Sequence, residues 1–192
     1  MKTIQILLGS KSPRRQQLLR EMGLDFRYVY QDIDESYPAG LPVEDIAPYL
    51  AKLKAEAISD HLKSDNELIL TCDTTVICAG RSYEKPLDAA DATRILKALS
   101  GKTHQVMTAV CLKGLKKEIL FSEITEVTFM ELSEVEIAYY IAHYSPYDKA
   151  GAYAIQEWIG VNKISKINGS YYNVVGLPTH RIYEELIKYS AL

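Results

Sequence analysis

The segment from residue 3 to residue 23 constrains the fold most, because its pattern predicts a strand that runs directly into a helix. Thr3 to Leu8 form a short apolar run with a β-branched residue, which is typical of a buried strand. Ser12 and Pro13 then suit the N-cap and the first position of a helix, and Gly23 suits its C-terminus. We therefore expect a helix between Pro13 and the residue before Gly23.

The turn between this strand and this helix also carries groups that suit an anion. Ser10 precedes the helix, and Arg14 and Arg15 lie in its first turn. Backbone N–H groups, the positive end of the helix dipole, hydroxyl groups and guanidinium groups all favour a phosphate there. From these residues alone, a phosphate site and an ordinary strand-to-helix turn with solvated arginines are both open.

The rest of the chain alternates helices and strands early and pairs strands late. Further helices are predicted at residues 40–62, 88–99, 133–143 and 178–189. Further strands are predicted at residues 26–30, 68–72, 75–78, 104–112, 118–129, 163–167 and 171–175. This order predicts an α/β fold with a mixed twisted sheet flanked by helices, in one domain over residues 1–192 with two lobes around a central cleft.

Composition argues against several classes of protein. The formal net charge is −3, from 22 basic and 25 acidic residues, so the basic field that binds a nucleic-acid polymer or a membrane surface is not expected. No segment approaches the roughly 20 apolar residues of a membrane span, and the first apolar run is too short for a secretory signal. Cys72, Cys78 and Cys111 lie in apolar runs, as reduced core cysteines do. We therefore expect a cytosolic protein.

Asp73 is the sharpest single candidate for chemistry. It follows the uncharged predicted strand at residues 68–72, where a carboxylate is costly unless it has a partner or a function. Ligand clefts of α/β sheets also form at strand ends. For an isolated aspartate, however, a turn or capping role is the commoner explanation.

Four further residues have two interpretations each. Lys85 suits either a ligand cleft or an ordinary loop, and Lys54 lies on a predicted helix, where a lysine is more often solvated. Glu35 belongs to an acidic loop, which suits either Mg²⁺ bound together with substrate phosphates or a solvated surface. His104 starts a predicted strand, where a structural histidine bonded to a backbone carbonyl is favoured over a general base.

The chain lacks both the GxxxxGK[ST] motif of P-loop nucleotidases and the GxGxxG motif of dinucleotide-binding proteins. Eight other short motifs occur together in a fixed order. They are Gly-Ser-Lys-Ser-Pro-Arg-Arg (9–15), Asp-Glu-Ser (34–36), Leu-Ala-Lys-Leu-Lys-Ala (50–55), Cys-Asp-Thr (72–74), Glu-Lys-Pro (84–86), Leu-Ser-Gly-Lys-Thr-His (99–104), Asp-Lys-Ala-Gly-Ala-Tyr-Ala-Ile-Gln (148–156) and Ile-Asn-Gly-Ser-Tyr-Tyr-Asn-Val-Val-Gly-Leu-Pro (167–178). Over residues 4–186, this set resembles the Maf family of nucleoside triphosphate pyrophosphatases.

The resemblance implies a Maf or ITPase-like fold and hydrolysis of a nucleoside triphosphate to the monophosphate and pyrophosphate, with Mg²⁺ or Mn²⁺. By motif, Asp73 matches the family's proton acceptor, a role that a positioned carboxylate can fill. Asp73 and Glu35 are the expected metal ligands. The phosphate-handling positions match Ser10, Arg14, Arg15, Lys54 and Lys85.

The resemblance also extends to base preference. Thr74, Gln156 and Arg14 match the branch of the family that acts on dTTP and UTP, and a glutamine amide and a threonine hydroxyl can pair with the edge of a uracil or thymine ring. The alternatives are the 7-methyl-GTP branch and a nucleotide-binding regulator of cell division with little turnover. Residues 157–159 (Glu-Trp-Ile) replace a Gly-rich stretch, which leaves the preference among dTTP, UTP and modified pyrimidine nucleotides open. The family also allows a homodimer, although the sequence shows no interface pattern.

Overall fold

The structure is a computed structural model that describes residues 4–190 of the 192-residue chain. Its strands are β1 (Gln5–Leu8), β2 (Phe26–Tyr28), β3 (Glu67–Cys78), β4 (Arg81–Tyr83), β5 (Thr103–Lys113), β6 (Glu118–Phe129) and β7 (Ile164–Asn168). Its α-helices are α1 (Pro13–Glu21), α2 (Val43–Ala57), α3 (Ala89–Leu99), α4 (Glu134–Tyr144), α5 (Trp158–Lys163), α6 (Tyr171–Val175) and α7 (Thr179–Ser190). Three short 3₁₀ turns lie at Ser59–His61, Pro146–Asp148 and Ala150–Ala152.

In the described chain, seven strands form one mixed sheet in the order β2-β1-β3-β5-β6-β7, with β4 paired to β3. β1 pairs in parallel with both β2 and β3, whereas β4 and β7 pair antiparallel to their neighbours. β5 and β6 form an antiparallel pair, since Lys113 contacts Glu118 at one end and Thr103 contacts Thr128 at the other. The predicted mixed sheet with flanking helices is therefore confirmed.

The chain divides into two compact units. Unit 1 comprises the residues up to Asp73, Thr108–Glu123 and the residues from Gly176 onward, and unit 2 comprises Thr74–Met107 and Ile124–Val175. The strands β3, β5 and β6 each contribute residues to both units.

In unit 1, the predicted connection from strand to helix is present. Leu7 and Leu8 of β1 are fully buried. The Ser12 hydroxyl then accepts a hydrogen bond from the backbone N–H of Arg15 and caps α1, with Pro13 in the first helical turn. The helix ends before Gly23, whose φ of +72° is the left-handed conformation that favours glycine. Thr3, the predicted first residue of the strand, lies outside the described residues.

The long helix α2 begins and ends inside its predicted range. It stops at Ala57 because Ile58 leaves helical geometry, with φ −110° and ψ 11°, and the chain continues as a 3₁₀ turn. The Thr71 hydroxyl of β3 donates to the Ala51 carbonyl of α2 at 2.6 Å, which fixes the helix against the strand. A Cβ on Gly9 would lie only 2.7 Å from side-chain atoms of Ile58 and Thr71, so a larger residue would fit only if these side chains shifted.

In unit 2, capping residues lie at the starts of the two helices predicted at residues 88–99 and 133–143. The Asp88 carboxylate accepts from the Asp91 N–H at the start of α3. Ser133 and Glu136 form a reciprocal capping box at the start of α4. The apolar sides of these helices contribute to a buried cluster with residues of β5, β6 and the segments after α4, including Ile95, Leu96, Val106, Phe129, Ile137, Tyr140, Tyr153 and Ile159.

Two predictions about local structure are wrong, and two elements were not predicted. β3 is continuous through Asp73, so this residue does not end a strand. Residues 171–175 form α6 and not a strand; the Ser170 hydroxyl accepts from the Asn173 N–H, and a short apolar run does not distinguish a strand from a helix. The sequence pattern also does not reveal β4 or α5.

Candidate active site

The middle of β3 presents the carboxylate of Asp73 to a lysine on α2. Asp73 Oδ1 accepts a hydrogen bond from Lys54 Nζ at 2.7 Å, and both side chains are mostly buried, at 15% and 16% exposure. Lys54 is therefore not the solvated residue that its helical position alone favours. Charge-assisted bonds of this kind are among the strongest in proteins.

The same ammonium group also contacts Glu35, which lies in the acidic loop after β2. Lys54 Nζ is 2.8 Å from Glu35 Oε2. Burial disfavours the charged form of Lys54, but the Asp73 and Glu35 carboxylates outweigh it, and the pKa of Lys54 is raised above its ordinary value. At neutral pH, one ammonium group thus lies between two carboxylates.

Arg15 connects the turn before α1 to the residue that precedes Asp73. Its Nη1 donates to the Cys72 carbonyl at 2.8 Å and to the Ser10 hydroxyl at 3.2 Å, and its Nε donates to the Gly176 carbonyl at 2.8 Å. Ser10 is buried and also accepts from the Ser12 N–H at 3.3 Å. The guanidinium group therefore joins three segments of unit 1.

Arg14 lies beside Arg15 in the first turn of α1 and is half-buried. In the same unit, a small pocket of about 10 Å³ is lined by Gly9, Tyr30, Glu35 and Lys54, among others. The helix N-terminus, the cationic side chains and this pocket make unit 1 suited to an anionic ligand.

The carboxylates of Asp73 and Glu35 suit a divalent cation that is also bound by substrate phosphates. Across residues 4–190, no group of three or more His, Cys, Asp and Glu side chains is arranged to hold a metal ion. Asp73 and Glu35 nevertheless direct their oxygens at one cationic group. Mg²⁺ is commonly bound through one or two carboxylates together with substrate phosphates, and this pair matches that mode of binding.

The remaining predicted residues belong to unit 2. Thr74 follows Asp73 directly in β3. Lys85 is exposed after β4, where the preceding Glu84 carbonyl accepts from the Gly151 N–H at 3.2 Å. Gln156 is exposed in the segment between the last 3₁₀ turn and α5.

His104 is buried and has a structural contact, although not the predicted one. Its Nε2 lies 2.7 Å from the Tyr153 hydroxyl, so the partner is a side chain and not a backbone carbonyl. Burial lowers the pKa of His104 to about 4, which keeps the ring neutral near pH 7.

The three cysteines are buried thiols, as predicted. Burial raises the pKa of Cys72 and raises that of Cys111 to about 12. Because the thiolate is the reactive form, these thiols are poor nucleophiles.

Some contacts with structural importance cannot be read from the sequence motifs. Gly176 belongs to the motif at residues 167–178, but the motif does not reveal that its carbonyl accepts a hydrogen bond from Arg15. Tyr140 looks like one of many apolar positions on α4, yet its hydroxyl accepts from the Ala154 N–H two residues before Gln156. Charge and turn patterns do not reveal such contacts, because they join distant parts of the chain.

Residues 5–189 match the family model described as Maf-like protein. The chain belongs to the Maf family. It is 50% identical over 190 residues to a protein named dTTP/UTP pyrophosphatase from Porphyromonas gingivalis, covering 97% of this chain and 94% of that protein. It is 46% identical over 186 residues to the protein of the same name from Flavobacterium johnsoniae, covering 97% and 95%.

Among solved structures, this Maf protein resembles a HAM1 protein from Coxiella burnetii, with a TM-score of 0.42 and 15% identity, over 66% of this chain and 73% of that one. The Ham1 protein of Staphylococcus aureus gives a TM-score of 0.46 and 14% identity, over 65% and 71%. Separately, none of the helices in the described residues has the length and apolar character needed to span a membrane.

Proposed function

We propose that this Maf protein hydrolyses dTTP and UTP to the nucleoside monophosphate and pyrophosphate, with a divalent metal ion and with Asp73 as the proton acceptor. The observation that carries the proposal is the part-buried cluster in which Lys54 Nζ lies 2.7 Å from Asp73 and 2.8 Å from Glu35. The identity of about half of all residues with proteins named dTTP/UTP pyrophosphatase supports it.

In the proposed reaction, Asp73 accepts the proton of the attacking water through a carboxylate oxygen. Lys54 holds that carboxylate in place from one side, so that its free lone pairs have a fixed direction. Asp73 and Glu35 would hold Mg²⁺ or Mn²⁺ together with substrate phosphates, and the ion would neutralise phosphate charge.

The triphosphate would be bound mainly by cations, because phosphoryl transfer depends on positioning and charge neutralisation. Arg14, Lys54 and Lys85 would supply positive charge. Ser10 and Arg15 would contribute a hydroxyl and a guanidinium group that already hold each other in place at 3.2 Å. Arg15 also fixes the carbonyl of Cys72, directly before Asp73. The same side chain would therefore bind phosphate and hold the backbone next to the proton acceptor.

The base would be recognised by Thr74 and Gln156, with Arg14 as a third contributor to specificity. The Gln156 amide offers both a donor and an acceptor, which matches the alternating edge of uracil and thymine. A site that depends on such hydrogen bonds rejects a base that leaves them unpaired.

A pyrophosphate-release screen tests the proposal. The panel contains dTTP, UTP, CTP, GTP, ATP and 7-methyl-GTP, each with Mg²⁺, with Mn²⁺ and with excess chelator. We expect release from dTTP and UTP with a metal ion and loss of release with chelator. Preferential release from 7-methyl-GTP would support the other branch of the family. Binding without release from any nucleotide would support a regulatory protein and overturn the hydrolase.

Three further expectations accompany this function: a cytoplasmic location and no nucleic-acid polymer as partner, both from the composition of the sequence, and a homodimer, from the family. The homodimer is checked by sedimentation of the purified protein with and without nucleotide. A mass of about 21.6 kDa at all concentrations would contradict it.

A further inference from the structure

The segment at residues 154–157, here called the Gln156 segment, is held by side chains that have no role in the proposed chemistry. All of these contacts lie within unit 2. Gln156 itself is exposed, whereas Ala154 and Ile155 on one side of it are buried. The backbone that carries the glutamine is therefore fixed while its amide stays accessible.

Tyr140 makes the first contact from α4. Its side chain is fully buried, and its hydroxyl accepts a hydrogen bond from the Ala154 N–H at 3.0 Å. The same hydroxyl donates to the Glu157 carboxylate. The Tyr140 hydroxyl thus binds Ala154, two residues before Gln156, and Glu157, directly after it.

Glu157 makes the second contact through its other carboxylate oxygen. Glu157 Oε1 lies 3.4 Å from Lys149 Nζ, and Lys149 is itself 90% buried and pairs with Asp148 at 2.7 Å. Truncating Glu157 would leave a buried ammonium with one partner fewer and the Tyr140 hydroxyl without its acceptor. The Glu157 backbone carbonyl also accepts from Gly160 and Val161 at the start of α5.

Gly160 makes the third contact by close approach. A Cβ on this residue would lie 1.8 Å from the carbonyl oxygen of Ile155, so the first turn of α5 packs directly on the backbone of the Gln156 segment. Only a residue without a side chain fits there.

We propose that Tyr140 and Glu157 are positioning residues for base recognition, because they fix the backbone on both sides of Gln156. The inference rests on the proposed function and names which residues give it specificity. A glutamine on a mobile segment could pair with several base edges by moving or turning its amide. A glutamine on a fixed segment presents one donor and one acceptor in one place and rejects cytosine, whose edge has the opposite polarity at position 4.

The test compares UTP with CTP, because the two substrates differ only in that base edge. We expect Tyr140→Phe and Glu157→Ala each to lower the UTP/CTP ratio of kcat/KM about tenfold, which is the effect of roughly one hydrogen bond. The loss should appear as a higher KM for UTP with kcat largely retained. Glu157→Gln, which keeps an acceptor for Tyr140, should restore most of the ratio.

Two controls separate positioning from general damage. Tyr144→Phe removes a hydroxyl from the ring that stacks on Tyr140 at 5.1 Å on the same helix, and it should leave the ratio unchanged. In the double variant Tyr140→Phe/Gln156→Ala, the ratio should equal that of Gln156→Ala alone, because Tyr140 acts through Gln156. Thermal unfolding of each variant is measured in parallel. If Tyr140→Phe does not fold, Glu157→Ala decides, since its side chain is partly exposed.

The possible failures are distinct. A wild-type protein that releases no pyrophosphate overturns the proposed function and this inference with it. A wild-type ratio in both Tyr140→Phe and Glu157→Ala, with a lowered ratio in Gln156→Ala, overturns the positioning role alone. An equal loss of kcat/KM for UTP and CTP shows a merely structural role and also overturns it. A wild-type ratio in Gln156→Ala removes Gln156 from base recognition, while pyrophosphate release still supports the hydrolase.

Discussion

The two units hold their candidate residues in different ways. In unit 1 these residues contact one another: Lys54 lies between Asp73 and Glu35, and Arg15 binds Ser10. In unit 2 the candidate Gln156 is exposed, and its segment is held by neighbours that no motif identifies.

This difference predicts two kinds of mutational behaviour. A substitution in the unit 1 cluster removes a chemical group and disturbs its partners at the same time, so activity and local arrangement change together. A substitution in the unit 2 residues that hold the Gln156 segment leaves the reacting groups in place and changes the position of the exposed Gln156 side chain. The predictions below test this contrast, from the largest expected effect to the smallest.

The largest effect is expected for Asp73→Asn. We expect kcat for UTP to fall by about 10²–10⁴-fold, as is usual on loss of a general base, because an amide cannot accept the proton. Pyrophosphate release in Mg²⁺ is the measurement. Asp34→Asn, which alters a carboxylate that binds the Ser36 N–H in the neighbouring loop, is the matched control and should keep most of the activity. Turnover near that of the wild type would remove Asp73 from this role.

The second prediction compares two glycines, one in each unit. Gly9→Ala places a Cβ 2.7 Å from side-chain methyl groups of Ile58 and Thr71, which can shift, and should cost about 1–3 kcal/mol of unfolding free energy. Gly160→Ala places it 1.8 Å from the backbone oxygen of Ile155, which cannot move without the chain, so the cost should be larger. Urea unfolding of both variants measures the difference. Equal losses would contradict the fixed backbone inferred for the Gln156 segment.

The third prediction concerns Asn173, a fully buried residue whose side-chain amide connects two strands of unit 2. Its Nδ2 donates to the Val106 carbonyl at 3.0 Å and to the Thr125 hydroxyl at 2.9 Å. Asn173→Ala removes one donor from each of these two buried acceptors and should cost about 1–3 kcal/mol of unfolding free energy. Asn162→Ala, which removes an exposed contact to the Trp158 carbonyl, is the control and should change stability little. Similar losses from both variants would show that burial does not decide the effect.

The smallest effect is a pH dependence due to His104. The pKa of its ring is about 4 in the folded protein and 6.5 when unfolded. The neutral ring therefore makes its full contribution to the free energy of unfolding above pH 6.5. This contribution declines as the pH falls towards 4, by at most about 1.4 kcal/mol per pH unit. Urea midpoints between pH 7.5 and 6, where the loss stays below about 1 kcal/mol, measure this decline, and His104→Gln should flatten it. An equal slope in both proteins would contradict the assignment to His104.

The sequence predicts the fold well where local chemistry decides the structure. Asp88 and Ser133 are capping residues, and the helices that follow them begin where they predict. Prediction fails at residues 171–175, because a five-residue apolar run suits a strand or a helix equally and Ser170 decides in favour of the helix through its hydroxyl. Asp73 is misplaced for a related reason: Asp and Thr suggest a break in β3, but the strand continues through them.

The candidate site is predictable in its residue types and not in its contacts. The motifs name Lys54, Asp73 and Glu35, but Lys54 is 19 positions from each partner, in opposite directions. The packing of α2 on β3 brings Lys54 to Asp73, and the loop after β2 brings Glu35 to Lys54. Tyr140 and Glu157 are harder still. A tyrosine hydroxyl that binds a backbone N–H leaves no pattern in charge or periodicity, because its partner is the main chain.

The bond from Arg15 to the Gly176 carbonyl has a consequence for protein synthesis. Unit 2 ends at Val175, so all of its residues have been synthesised before the last segment of unit 1 is made. Arg15, Lys54 and Asp73 have also been made by then, but the carbonyl that fixes Arg15 is not. An incomplete chain that stops before Gly176 can thus contain every proposed catalytic and base-reading residue and still lack this contact. The support of the proposed phosphate-binding turn is thus synthesised after all of unit 2, so this turn is completed later than the residues proposed to read the base.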